Sequence, residues 1–222
     1  MATIILSGIR VRGVLLDVDG TLLDSNDAHA ESWVQVFQRH GFDIPFERVR
    51  PLIGEGGDKL LPQLTGIDAE SSRGKQLSAE RRKLFLEQYL PRLQPTRGAT
   101  VLVERLKAAR VRVVIATSSS EEELGALLEQ AGVADLIERA TSSADGASKP
   151  DPDIVRAALA EGGLSPAEAV MVGDTPYDIA AAARSGVKAI ALRCGGWWDD
   201  AALAGAVGIY DDPAALALSF AS

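Results

Sequence analysis

Four short stretches of this chain carry residue types whose spacing could do chemistry: Asp17-Val18-Asp19-Gly20-Thr21, Thr117-Ser118-Ser119-Ser120, Ser148-Lys149-Pro150 and Gly173-Asp174-Thr175-Pro176-Tyr177-Asp178. Together they offer carboxylates, hydroxyls and one ammonium. Carboxylates gathered in one place repel unless something positive neutralises them, and hard oxygen donors with a lysine nearby suit Mg2+ shared with a phosphate. A carboxylate can also attack phosphorus and form an aspartyl-phosphate, which divides one hard displacement into two. In such chemistry one carboxylate is the nucleophile, another moves the proton on the leaving oxygen and a third holds metal. Thr117 and Lys149 would bind the equatorial phosphate oxygens. Backbone N–H groups around Asp19, Gly20 and Ser118 would add anion-binding donors.

These stretches work together only if strands carry them to one edge of a sheet. Apolar runs without alternation at 13–16, 111–116, 169–173 and 188–192 read as strands buried on both faces, as in parallel sheets, with weaker candidates at 136–140 and 207–210. Helical patterns with start and stop signals lie between them at 98–110, 120–131, 153–161 and 176–185, and Ser120-Glu121-Glu122-Glu123 has capping-box spacing. The alternation argues an α/β fold with a parallel sheet. Ligands bind outside the carboxyl ends of such strands, where all four stretches fall. Only the first strand breaks the rhythm, because the stretch from 17 to 97 far exceeds an ordinary crossover of about a dozen residues. It contains helical patterns at 27–40, 57–64 and 69–89. The expected organisation is an α/β core of residues 1–23 and 95–222 with a helical subdomain of 24–94 inserted after the first strand.

Taken in order, Asp17-Val18-Asp19-Gly20-Thr21, Thr117, Lys149-Pro150 and Gly173-Asp174-Thr175-Pro176-Tyr177-Asp178 resemble the four motifs of the haloacid dehalogenase superfamily of phosphotransferases, over about residues 11 to 212. The resemblance implies a Rossmann-like parallel sheet core flanked by helices, with an inserted helical cap of the phosphoglycolate phosphatase and β-phosphoglucomutase type. It implies Asp17 as nucleophile and Asp19 as general acid/base. Thr117, Ser118 and Lys149 become phosphate-binding groups. A Mg2+ ion would be held by Asp17, Asp174 and the Asp19 carbonyl, with Asp178 supporting the metal site mainly through the groups around it. The cap would close over the substrate and exclude water.

Cap residues then become candidates for substrate contact. His29 matches a histidine of sugar-phosphate members, against the alternative of a packed or exposed helix residue. Gly56, Asp58 and Lys59 belong to a glycine-rich stretch, 54–59, with the flexibility of a specificity loop. Trp33 reads as packing, and Trp197-Trp198 either as a pocket wall or as packing. The implied function is a Mg2+-dependent phosphatase acting on a small phosphomonoester, such as a sugar phosphate or phosphoglycolate-like ester. A phosphosugar mutase is the alternative. It needs a second phosphate site, which such mutases build partly from an arginine where this chain has Gly56-Gly57, so the placement of Lys59, Arg81 and Arg82 matters. Asp19 argues against dehalogenase and phosphonatase chemistry, which need no acid for an alkoxide. A non-catalytic binding protein on the same fold would be expected to lack at least one of Asp17, Asp19, Lys149 or Asp174.

Composition narrows the partners. The 222 residues carry 31 acidic against 23 basic side chains, a formal net charge of −8, which disfavours nucleic acid. No run approaches the roughly 18 apolar residues of a membrane helix, and Ile4-Ile5-Leu6 is too short for a signal peptide. The single cysteine, Cys194, forms no disulfide within the chain. These features lead to the expectation of a cytoplasmic monomer or homodimer acting on a small phosphorylated metabolite.

Overall fold

A computed structural model describes residues 3–219. Its centre is the predicted parallel sheet, built from β3 (Gly13–Leu16), β4 (Arg112–Ala116), β5 (Ala140–Thr141), β6 (Ala169–Gly173), β7 (Lys188–Leu192) and β8 (Gly208–Tyr210) in the order β5-β4-β3-β6-β7-β8. The chain winds outward from β3 through β4 to β5, then returns to place β6 on the other side of β3. The carboxyl end of β3 is therefore the point where strand order reverses, and this is where an open α/β sheet forms its crevice.

The strands read as unbroken apolar runs because both faces are covered. Val14, Leu16, Val113, Ile115, Val170, Val172, Ile190 and Leu192 point to one apolar cluster, with side chains from α5 (Ala99–Ala108), α6 (Glu121–Gln130) and α9 (Pro213–Ser219). Leu15, Val114, Ala116 and Met171 point to the other, against α7 (Asp153–Gly162) and α8 (Pro176–Arg184). Between β3 and α5 lie α1 (Asn26–Arg39), α2 (Phe46–Val49), α3 (Gly57–Thr65) and α4 (Ser72–Leu84). Their apolar faces meet in a third cluster that includes Trp33, Phe37, Val49, Leu60, Leu61, Leu77 and Leu84. The helical pattern at 69–89 holds as α4 followed by one wider π turn over Phe85–Tyr89.

Several features depart from the sequence reading. The first residues form an antiparallel hairpin, β1 (Ile4–Leu6) and β2 (Ile9–Val11), turning through Ser7-Gly8, whose φ values of 47° and 75° match the positive-φ turns that suit hairpin twist. It buries Leu6 and Val11 in the first cluster. Helices α2 and α9 also went unread, both too short to show a period. The capping-box spacing at Ser120 yields no side-chain cap of α6, because the Ser120 hydroxyl donates instead to Glu123 at 2.8 Å.

Helix α5 starts at Gly98, which has φ of +81° and lies so close to α9 that a Cβ would stand 2.6 Å from the main chain of Ala214. An alanine at this position meets both a strained backbone and a clash with main chain. Gly98→Ala is expected to cost about 1–3 kcal/mol of stability, read as a lower urea midpoint at unchanged slope. A midpoint equal to that of the parent would show that α9 does not pack on α5 in solution.

Candidate active site

Three adjacent strands, β4, β3 and β6, deliver the predicted groups to one edge. Asp17 follows β3, Asp174 follows β6 and Thr117 follows β4, all almost fully buried. Lys149, also buried, reaches between two carboxylates, its Nζ donating to Asp17 Oδ1 at 2.6 Å and to Asp178 Oδ1 at 2.7 Å. Asp178 is fixed by its place at the start of α8. Its second oxygen accepts from the Thr175 hydroxyl at 2.7 Å and the Thr175 N–H at 3.1 Å, a reciprocal capping box that leaves Oδ1 for the lysine. Asp174 accepts from Thr21 Oγ1 at 3.1 Å and Asn26 Nδ2 at 2.8 Å. This close approach requires Gly20, with φ of +73°, since a Cβ there would stand 2.0 Å from Asn26 Nδ2 and 2.3 Å from Asp174 Oδ2.

Asp17, Asp174 and Asp178 each place a carboxylate oxygen within 4.8 Å of the others. Against their three potential negative charges stands one ammonium. Burial works against the Lys149 ammonium, but Asp17 and Asp178 more than offset it and raise its pKa. Burial pushes Asp17 well above the usual carboxylate range despite Lys149, with Asp178 and Asp174 adding to the rise. Asp174 is pushed up to about 7, first by burial and then by Asp178. The cluster is short of positive charge, and its all-oxygen donor set fits a hard divalent cation.

Asp19 faces elsewhere. Its carboxylate accepts from Ser25 Oγ at 2.6 Å and Ser119 Oγ at 2.5 Å, and its Oδ1 lies 2.7 Å from His29 Nε2. Burial favours the neutral acid, yet His29, Ser119 and Ser25 outweigh it and hold the carboxyl well below its usual range. His29 is buried, its ring stacked on Phe85 with centroids 4.0 Å apart.

A cavity of about 740 Å³ opens above these groups, lined by Asp17, Asp19, His29, Thr117 and Ser118 on one side and by Trp33, Gly56, Asp58 and Arg81 of the inserted helices on the other. Gly56 and Asp58, the sequence's candidates for substrate contact, both line the cavity. Lys59 is not among the lining residues. It donates to the Ser148 and Lys149 carbonyls and pairs with Asp151 at 2.9 Å, bracing the loop that carries Lys149. Trp33 lines the cavity while packing in the third cluster. Trp197 and Trp198 do not wall it: Trp197 packs on Phe46 and Arg50, and Trp198 on Tyr177. The sequence reading missed Ser25, Asn26, Ser119 and Glu123 as members of the site, and Arg81, named there only as a cation to be placed, lines the cavity. Ser119 carried a signal, since it lies in the loop after β4 that the reading had already singled out.

With this geometry in place, comparison with known proteins is informative. Residues 14–192 match the family described as haloacid dehalogenase-like hydrolase. The chain is 30% identical over 217 residues to a phosphoglycolate phosphatase of Rhodospirillum rubrum, covering 92% of this chain and 89% of that protein. It is 29% identical over 182 residues to a pyrophosphatase of Bacillus velezensis, covering 81% and 82%. Among solved structures, a hydrolase from Pseudomonas syringae superposes with a TM-score of 0.85 at 25% identity, covering 93% of this chain and 95% of that one.

The charge deficit has a measurable consequence. Asp174 titrates near 7 in the folded protein against 3.8 for an ordinary carboxyl, so between those values the folded state keeps a proton that the unfolded chain has lost. Metal-free stability therefore falls as pH rises through that window. A bound cation must displace the proton, so adding MgCl2 is expected to raise Tm more at pH 8 than at pH 5. Equal gains at both values would show that the cation binds away from this cluster.

Proposed function

From the premise that the chain belongs to the haloacid dehalogenase-like hydrolase family, and so is a phosphatase, we propose that it is a Mg2+-dependent enzyme that hydrolyses a small phosphomonoester through an aspartyl-phosphate on Asp17. The observation that carries this reading is the buried cluster of Asp17, Asp174 and Asp178 around Lys149, which presents Asp17 to a cavity that residues of the inserted helices also line.

In this proposal Asp17, Asp174 and Asp178 would hold the cation, which when bound would neutralise their charge and that of the phosphoryl group. Thr117, Ser118 and Lys149 hold the phosphate oxygens. An Asp17 carboxylate oxygen attacks phosphorus, the P–O bond to the alcohol breaks, and the leaving oxygen takes its electron pair and a proton from Asp19. Asp19 is left as a carboxylate, the form that Ser25, His29 and Ser119 stabilise. Water then gives its proton to Asp19 and attacks the phosphoryl group, which leaves as inorganic phosphate while the electron pair returns to Asp17. Residues 24–94 act as a mobile cap that keeps other water out of the first half.

Hydrolysis is favoured over phosphosugar mutation by the cap cations. Arg81 lies 2.9 Å from Glu123, Arg82 2.9 Å from Glu122 and Lys75 3.0 Å from Glu70, and Lys59 is turned to the Lys149 loop. Each is already engaged, so the described cavity lining offers no spare cation to grip a second phosphate. A purely binding role is disfavoured because Asp17, Asp19, Lys149 and Asp174 are all present and assembled.

Asp17→Asn is expected to keep the parent circular dichroism while losing at least about a thousandfold in kcat, some 4 kcal/mol of barrier. The measurement is release of phosphate from p-nitrophenyl phosphate with and without Mg2+, followed by a panel of phosphorylated metabolites. Near-parental turnover would remove Asp17 from the nucleophile role.

The two sides of the cavity are expected to behave differently. Asp58→Ala, on the cap side, should reorder kcat/KM across the panel by about 1–3 kcal/mol, whereas changes at Thr117 should depress every substrate alike. A uniform loss on Asp58→Ala would make the 54–59 loop a lid without selectivity.

A further inference from the structure

Asp19 is not held by the sheet alone. A line of polar contacts runs from it into the inserted helices and back to the core: Asp19 Oδ1 to His29 Nε2 at 2.7 Å, His29 Nδ1 to Arg81 Nη1 at 3.0 Å, and Arg81 Nη2 to Glu123 Oε2 at 3.2 Å. Glu123 Oε2 in turn accepts from Ser120 Oγ at 2.8 Å. Arg81 Nη1 also lies 2.9 Å from Glu123 Oε1, without hydrogen-bond alignment. Glu123 is 2% exposed and Arg81 12%, so the pair is shielded and its geometry is not exchanged freely with water.

The hydrogen-bond inventory along this line has one solution. A guanidinium has N–H donors and no acceptor. The His29 Nδ1 that meets it must therefore present a lone pair, and the ring hydrogen must sit on Nε2, facing Asp19. The plane of the ring is set separately, by its stack on Phe85 at 4.0 Å and 11°, and Phe85 opens the π turn that follows α4. Arg81 is held over the faces of both Trp33 and Phe85, at 5.3 and 5.7 Å, which limits its swing.

We propose that Arg81 is a positioning residue, which locks His29 in its Nε2–H tautomer so that the imidazole always donates to Asp19 and never accepts from it. The proposal rests on the reading of Asp19 as the acid/base of the reaction. With the opposite tautomer, Nε2 would turn a lone pair toward the carboxylate. That contact is repulsive when Asp19 is ionised and attractive only when it is protonated, so the proton would be retained when it should pass to the leaving oxygen. His29 and Arg81 both belong to the inserted helices, on α1 and α4, so the lock travels with them as a unit, and Glu123 of α6 steadies Arg81 from the core side.

Two-dimensional 15N–1H spectroscopy of the His29 ring, separated from His40 by a His40→Gln background, reads the tautomer directly. The parent is expected to show Nε2 protonated and Nδ1 bare. Arg81→Met should convert His29 to a tautomer mixture and lower kcat about tenfold or more, with KM within about twofold. Arg81→Lys, which keeps an obligate donor, should restore both the Nε2–H signal and most of kcat. Arg81→Met leaves Glu123 buried without its partner, so Arg81→Met/Glu123→Gln serves as the second variant and should show the same mixture. An Nδ1–H signal in the parent, or an unaltered Nε2–H signal in both Met variants, would overturn the proposal. Asp19→Asn separates the underlying reading: full turnover in that variant removes Asp19 from acid/base work, whereas the ring spectrum of the parent still reports on the lock itself.

Discussion

Everything at this site depends on placing like charges in a dry space at the reversal point of the sheet. Asp17 and Asp174 arrive there because β3 and β6 are hydrogen-bonded neighbours in register, Leu16 beside Val172, so the residues that follow each strand emerge side by side. Such a cluster is unstable alone, and the fold answers with one fully buried lysine placed between Asp17 and Asp178. A buried ion pair is weak evidence for stability, because desolvation offsets most of its attraction. It is better understood as a way of holding two carboxylates in place while leaving the cluster deficient in positive charge.

That constraint explains the supporting structure around it. Gly20 lets Asn26 and Asp174 approach, the Thr175–Asp178 capping box turns one carboxylate oxygen toward Lys149, and Lys59 braces the carbonyls beside Lys149 from across the cavity. Polar contacts join the inserted helices to the core at Asp19–His29, Arg81–Glu123 and Lys59–Ser148, Ala28, Phe85 and Leu90 pack into the first apolar cluster, and an aromatic flank lies at Trp197 and Tyr177. There, Phe46 and Arg50 meet Trp197, and the Tyr177 hydroxyl donates to the Pro51 carbonyl at 2.7 Å.

The sequence made the sheet legible because strands buried on both faces must be apolar throughout, and it made Asp17, Asp174, Lys149 and Thr117 legible because each directly follows a strand or a recognisable loop. The hairpin at 4–11 and the short helix α9 escaped notice since each is shorter than the window over which a period shows. At the site, what escaped was anything whose role depends on two distant segments meeting. Arg81 and Glu123 are ordinary charged helix residues in sequence, and only the fold makes them a buried pair that touches His29. For Trp197-Trp198 the sequence left a pocket wall and packing both open, and the fold decides for packing, because the chain turns away after Gly195 toward Phe46 and Tyr177.

The two aspartates of the first motif show how far environment outweighs residue type. They stand two positions apart and are both buried, yet burial and the neighbouring carboxylates push Asp17 up, while in Asp19 the same burial is overcome by His29, Ser119 and Ser25. Titratable groups driven apart in this way mark a division of labour. Asp19, supplied with donors by the protein itself, is stabilised as a carboxylate, the form in which the proposed mechanism leaves it once its proton has passed to the leaving oxygen. Asp17 has Lys149 as its donor, yet burial and the neighbouring carboxylates outweigh it, and a protonated carboxyl is a poor nucleophile, so in the proposed reaction its reactive form would depend on positive charge beyond that lysine. Under the proposed mechanism the chain's own donors would stabilise the acid/base as a carboxylate while the nucleophile stays dependent on a cation, which would tie attack on phosphorus to a cation in the same cluster.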